Sequence, residues 1–295
     1  MTLVIAGYSV ANNEFGFASN DNANRSIDGI AISSDTSITD NGRILVSGFK
    51  KVVDIPIKVM GVNLLGDYFN GYLGSLYEGG CFVAFAGSTL VTQHMINSIK
   101  NHLTEIYPTY LNDGHSLAMT CENHKFLRSV GRYDNDMFSH ADILPLLTHE
   151  YLSNVVSHSI ESVIASSERH DGMRANFRAF SAEFIFGVQC PSSKGYYIYR
   201  YTILSNGHGG AVVKKELISK DKVAVIGMRE DYEEEANECY KQALEQKKDI
   251  ARTLHDFVVT SVREKNSIGI FGVGMPCSLY EYDRGVVRKT ELTNE

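Results

Sequence analysis

The chain is poor in cysteine, and the five it has follow no pattern. Cys81, Cys121, Cys190, Cys239 and Cys277 are odd in number and lack Cys-x-x-Cys spacing, which argues against a disulfide framework and against a zinc site. They read as free thiols of a reducing compartment, filling space as small buried hydrophobes. Long hydrophobic runs are missing as well. No stretch approaches the roughly 20 apolar residues that span a bilayer, and no basic region leads into an apolar signal core at the N-terminus. The expectation is a cytoplasmic protein with no membrane partner. Positive charge is also in short supply: 28 Lys and Arg stand against 35 Asp and Glu, a net charge of -7 with a pI near 5.8. That balance argues against nucleic acid as a partner, because polyanions attract basic surfaces. What remains, 43% hydrophobic and 21% charged residues over 295 positions, suits a globular protein with a sizeable core. The simplest reading is a single domain over 1–295.

Periodicity divides the chain into blocks. Thr2–Tyr8 and Gly29–Ser34 read as buried strands, with a polar, Asn-rich stretch between them. Short strands are expected at Arg43–Ser47, Lys50–Ile57 and Cys81–Ala86. The glycine- and aromatic-rich interval Gly61–Gly80 reads as a structured insertion or loop. Val91, Met95, Ile96, Ile99, Leu103 and Ile106 recur at three- and four-residue steps and predict a helix; a second is expected over Ala141–Ser166. Strands return at Arg178–Gln189, Tyr196–Leu204, Ala211–Ile218 and Lys222–Gly227. Helices over Tyr232–Gln246 and Ile250–Val262 follow, and strands at Ile268–Val273 and Leu279–Arg288 close the chain. Strand runs alternating with helix pairs predict an α+β fold, a four-layer αββα sandwich of two packed sheets with helices outside.

Chemistry points to the second residue. Removal of Met1 leaves a threonine carrying both a hydroxyl and a free α-amine. An amine with an ordinary pKa of about 7.7–8.0 can take the hydroxyl proton, so this pair can serve as nucleophile and base together. Five segments accompany it in order: Thr2 opening a strand, Ser34-Asp35-Thr36 ending the next, Phe49-Lys50-Lys51-Val52 on a third, Ala86-Gly87-Ser88 before a helix, and Arg263-Glu264-Lys265-Asn266-Ser267 after the last helix. In these, and in the 16-residue step from Asp35 to Lys51, the chain resembles the proteasome β-type subunit family of N-terminal nucleophile hydrolases over nearly its whole length.

The resemblance implies roles. Lys51 would lower the pKa of the Thr2 hydroxyl, and Asp35 would keep that lysine charged and in place; both charges would be tolerable inside only as a pair. Without Thr2, Lys51 would read as a solvated edge-strand lysine and Asp35 as a turn former. Gly87 corresponds to the oxyanion-hole donor, where the absence of a side chain allows close approach of its N–H. Thr39 corresponds to a residue that pairs with the substrate backbone. Ile38, Phe49, Val53 and Phe85 fall where the family lines its primary specificity pocket, implying a preference for apolar side chains. Glu264, in place of an aspartate, and Ser267 would orient the Thr2 amine. Two further features depart from the family: Met228 follows Gly227 where a hydroxyl is expected, and a thioether cannot replace that hydrogen bond; segments 12–28 and 61–80 read as insertions.

Other signals are weaker. Ser47-Gly-Phe-Lys50 has Ser-x-x-Lys spacing but lies between strands, and Gly207-His-Gly-Gly210 lacks the Gly-x-Ser-x-Gly partner of an esterase. The ten histidines show no metal-ligand spacing, so no metal and no cofactor are expected. The function expected is an N-terminal threonine peptidase acting on a peptide or unfolded protein through an acyl-enzyme ester on Thr2, without a propeptide to remove. The family resemblance implies a homo-oligomeric ring; a regulatory ATPase is not legible. An amidase acting on a small amide, or a catalytically inactive ring or scaffold subunit, are the alternatives.

Overall fold

The protein is described by a computed structural model, which defines residues 2–10, 26–40, 43–65, 68–111, 114–121, 138–174, 177–207, 210–269 and 272–290. Its fold is α+β. The strands are β1 (Leu3–Val10), β2 (Ile27–Asp35), β3 (Ile38–Asp40), β4 (Arg43–Val46), β5 (Val52–Leu65), β6 (Tyr68–Gly87), β7 (Ile106–Leu111), β8 (Gly114–Met119), β9 (Ala182–Gln189), β10 (Tyr196–Ser205), β11 (Ala211–Leu217), β12 (Ala224–Gly227), β13 (Cys277–Asp283) and β14 (Val286–Thr290). The helices are α1 (Thr89–Thr104), α2 (His140–Ile143), α3 (His149–Ser167), α4 (Asp171–Arg174), α5 (Arg229–Glu245) and α6 (Ile250–Ser267). Among these helices none is long and apolar enough to cross a membrane.

One large sheet runs in the order β12-β1-β2-β13-β14 and a second β11-β10-β9-β6-β5-β7-β8, while β3 and β4 pair with each other in a separate two-stranded sheet. Alternation along β1 shows how the sequence builds both faces of a sheet. Leu3 and Ile5 pack with Val225, Tyr240, Leu254 and Val258, on the side of α5 and α6. Val4, Ala6 and Tyr8 lie in another cluster with Phe82, Ala84, Ile185 and Ile198 of the second sheet. Successive strand side chains point to opposite faces, so a run apolar at every position has both faces covered. The far face of the second sheet, through Ile55, Ile57, Val59 and Val83, packs on Met95, Ile99 and Leu103 of α1 and on Val155, Val156 and Ile160 of α3. Each such aliphatic side chain contributes about 1.5–3 kcal/mol on burial.

Several expectations need correction. Gly61–Gly80 is no loop among its described residues: it is the outer part of a long β5–β6 hairpin, with register shifts at Val59/Met60, Gly61/Val62 and Asn63/Leu64. Ile106, expected on the first helix, starts β7, which β8 pairs in antiparallel fashion. The helix expected over Ala141–Ser166 is two: Thr148 is extended and accepts the Tyr151 N–H as an N-cap, so α3 starts afresh there. The last helix runs on to Ser267, and the described residues of the strand expected at Ile268–Val273 are turn and bend. The Asn-rich stretch before β2 lies mostly outside the described residues.

Candidate active site

Thr2 stands at the entry to β1, and Lys51 immediately precedes β5 of the other sheet. Between them the Lys51 ammonium bridges two oxygens. Its Nζ donates to Thr2 Oγ1 at 3.0 Å and to Asp35 Oδ1 at 2.7 Å. Asp35 is fully buried and Lys51 is 3% exposed, so neither charge is solvated; the pair holds because the remaining lone pairs of Asp35 are also used. Its Oδ1 accepts the Leu3 N–H at 2.9 Å, and its Oδ2 accepts the N–H groups of Ser37 at 3.2 Å and Gly274 at 3.4 Å. A carboxylate satisfied in this way fixes Lys51 and, through the Leu3 amide, the start of β1. Burial lowers the Lys51 pKa below its ordinary value, and the Asp35 charge beside it opposes that shift. Cys277 stands opposite Asp35 in the β2–β13 register, and burial, followed by the Asp35 charge, pushes its thiol up to about 12, which disfavours the thiolate.

These groups open onto a cavity of about 440 Å³ lined by Thr2, Lys51, Gly87, Ile38, Thr39, Phe49 and Phe85, together with Ser37, Glu183 and Thr202–Leu204 among others. The volume suits a small ligand or a peptide side chain. Phe49 and Phe85 meet edge to face, centroids 6.0 Å apart. Gly87 closes β6 with φ +117°, and a Cβ there would overlap the Ser181 carbonyl oxygen. Gly227, φ +88°, is confined in the same way by the Thr2 carbonyl; glycine is demanded at both by conformation and by space. Thr39 Oγ1 donates to the Gly272 carbonyl at 3.2 Å.

Asp35 stands behind Lys51 rather than on the cavity wall, and three other residues named from the sequence do not line the cavity either. Val53 packs against the helix-covered face of the larger sheet. Glu264 and Ser267 sit in the last turn of α6, where the Ser267 hydroxyl donates to the Glu264 carbonyl at 2.7 Å. Met228 is buried in the apolar cluster with Tyr232 and Val258 and occupies the N-cap position of α5 without a side-chain cap. Conversely, Glu183 was not visible from spacing. It stands on β9, lines the cavity, and its Oε2 accepts the Gly227 N–H at 2.7 Å. Ser37 lies two residues beyond Asp35, and its buried hydroxyl finds no hydrogen-bond partner among the described residues.

No protein family matches the sequence, and no curated protein matches it either. Solved structures do match. The chain is similar to Anbu. A Gly-1 mutant of Anbu from Hyphomicrobium sp. strain MC1 matches at 15% identity with a TM-score of 0.49, over 99% of this chain and 86% of that one. Anbu from Yersinia bercovieri, described as an ancestral β-subunit, matches at 11% identity and a TM-score of 0.47 over 98% and 87%. A helical assembly of the Anbu complex from Pseudomonas aeruginosa matches at 15% and 0.49 over 100% and 88%. The expected likeness to proteasome β-type subunits is thereby corrected: the structural neighbours are Anbu, a family distinct from the proteasome β subunits proper.

Proposed function

We propose that the protein is an N-terminal threonine hydrolase that cleaves peptide bonds through an acyl-enzyme ester on Thr2. The observation that carries this reading is the Thr2–Lys51–Asp35 chain of hydrogen bonds at 3.0 and 2.7 Å, opening onto a cavity. A buried ammonium on a threonine hydroxyl stabilises the alkoxide character that attack requires. Removal of Met1 supplies the base: the Thr2 α-amine takes the Oγ1 proton as the oxygen bonds to the substrate carbonyl carbon. The Gly87 N–H receives the developing oxyanion. Collapse of the intermediate breaks the C–N bond, the proton passes to the leaving amine, and water then hydrolyses the ester by the same steps, restoring Thr2.

The same reading assigns Glu183 to the amine. Its carboxylate is anchored on Gly227, whose backbone abuts the Thr2 carbonyl, whereas Glu264 does not line the cavity. Glu183 thus takes the orienting role for which a hydroxyl at position 228 is missing. Ile38, Phe49 and Phe85 form the apolar wall for a substrate side chain, and Thr39 holds its backbone. The four-layer αββα arrangement belongs to this proposal, supported by three apolar clusters, one between the sheets and one outside each. So does a homo-oligomer: the consecutive residues Ile44, Leu45 and Val46 are 45%, 62% and 49% exposed, an apolar strip that assembly would cover.

The test begins with the intact mass of the purified protein, which should lack Met1. A peptide epoxyketone should then form an adduct joining the Thr2 hydroxyl and amine, and Thr2→Ala should lose both adduct and hydrolysis. A retained methionine, or no adduct at saturating probe, overturns the reading in favour of a scaffold subunit.

A further inference from the structure

Outside the cavity, the tertiary fold gathers three residues that no sequence spacing connects. His102 lies in the last turn of α1, Cys121 follows the end of β8, and His158 lies in the middle of α3. Their potential ligand atoms all fall within 4.8 Å of one another. Cys121 Sγ and His158 Nε2 are 3.2 Å apart, and the two imidazole rings are 5.3 Å apart at their centroids.

The hydrogen bonds around the cluster fix which nitrogen faces it. Ser159 Oγ donates its single proton to the Val155 carbonyl at 2.7 Å. In its 2.8 Å contact with His102 Nδ1 it must therefore accept. His102 accordingly carries its proton on Nδ1 and its lone pair on Nε2, the arrangement in which an outer hydrogen bond orients a metal-binding imidazole. Ser162 Oγ stands 3.3 Å from His158 Nε2, a second hydroxyl at the rim of the cluster.

We propose that His102, Cys121 and His158 form a binding site for a divalent transition-metal ion of the Zn²⁺ class. Two imidazole nitrogens and one thiolate suit Zn²⁺ and exclude Mg²⁺ or Ca²⁺, which take oxygen ligands. Ligand atoms on a tetrahedral zinc stand about 3.5 Å apart, given bonds of about 2.3 Å to sulfur and 2.0–2.1 Å to nitrogen. The Cys121–His158 separation is close to that already, and small side-chain rotations bring the third atom in. Cys121 is exposed and both histidines are half-buried, so the ion exchanges with solvent and water completes its coordination. Binding displaces the thiol proton into solvent and ties α1 and α3 to the end of β8. None of the three residues lines the Thr2 cavity, and this proposal is independent of the hydrolase reading.

The test uses the full chain stripped of metal and titrated with Co²⁺ and Zn²⁺. One equivalent of Co²⁺ should produce a thiolate-to-metal charge-transfer band with visible bands of tetrahedral cobalt, and Zn²⁺ should displace it. Thermal unfolding should shift upward with added Zn²⁺ as mass action requires. Cys121→Ser should abolish the charge-transfer band and the thermal shift, and His158→Ala should weaken Zn²⁺ binding at least tenfold. Because Cys121 is exposed, its serine variant keeps the fold and decides the matter even if His158→Ala is poorly folded. A charge-transfer band that survives Cys121→Ser, or no stoichiometric binding by the wild-type chain, overturns the proposal.

Discussion

Lys51 reaches Thr2 from the other sheet. Thr2 precedes β1, Lys51 precedes β5, and the 3.0 Å hydrogen bond between them spans the two layers at one end of the shared apolar cluster. The position of the Thr2 hydroxyl relative to the Lys51 ammonium is therefore set by how the two sheets pack, and Asp35 stabilises both sides at once, through Lys51 and through the Leu3 amide.

Removing Lys51 should damage activity and stability by different routes. Lys51→Ala leaves Asp35 buried without its cation and should cost about 3–5 kcal/mol in denaturant unfolding, with hydrolysis lost. Lys51→Met combined with Asp35→Asn removes both charges and should recover much of that stability while staying inactive. Equal instability of the single and double variants would mean that the ion pair is not what the site depends on.

Lysine and arginine should not be interchangeable here. Lys51→Arg retains a positive charge but presents a wider, planar group that does not fit between Thr2 Oγ1 and Asp35 Oδ1 as the compact ammonium does. We expect at least a hundredfold loss in kcat with the overall fold preserved by circular dichroism; full activity would show that charge alone suffices.

Glu183→Gln tests the orienting role proposed for that residue. A carboxylate near the Thr2 ammonium favours the charged form, so its removal lowers the amine pKa. The acidic limb of the kcat/KM profile should move to lower pH, kcat should fall about tenfold, and KM should change little. Glu183→Asp should restore part of the loss. An unmoved acidic limb would leave Glu183 only its structural bond to Gly227.

Stability should decline on acidification through two histidines. Burial lowers the pKa of His149, opposed by Glu150, and that of His255, opposed by Asp256. His149 stacks on Tyr197 at 3.5 Å between centroids and hydrogen-bonds Tyr199; His255 hydrogen-bonds Ser33. Both favour the neutral ring in the fold, so the unfolded chain takes up protons first as pH falls below about 6.5. The unfolding midpoint in urea should be higher at pH 7.5 than at 5.5, and His255→Asn should flatten that slope.

The amino-acid sequence alone determined the local pieces: the apolar runs that became β1 and β2, the helical stripe from Val91 to Leu103, and Thr2 as the candidate nucleophile, with Asp35 and Lys51 at a telling interval. These were legible because strand alternation, helix periodicity and the chemistry of a hydroxyl beside an amine are properties of near neighbours. The break at Thr148 that separates α2 from α3 could have been found from its capping side chain, and the long β5–β6 hairpin was hidden by glycines that read as turn signals. Only the tertiary structure decided the rest. Glu183 meets Gly227, and His102 meets Cys121 and His158, through sheet pairing and helix packing between distant segments; Val53, Glu264 and Ser267 fall away from the cavity for the same reason. Which side chains share a space depends on where elements stack, and that is fixed by burial of whole faces rather than by spacing along the chain.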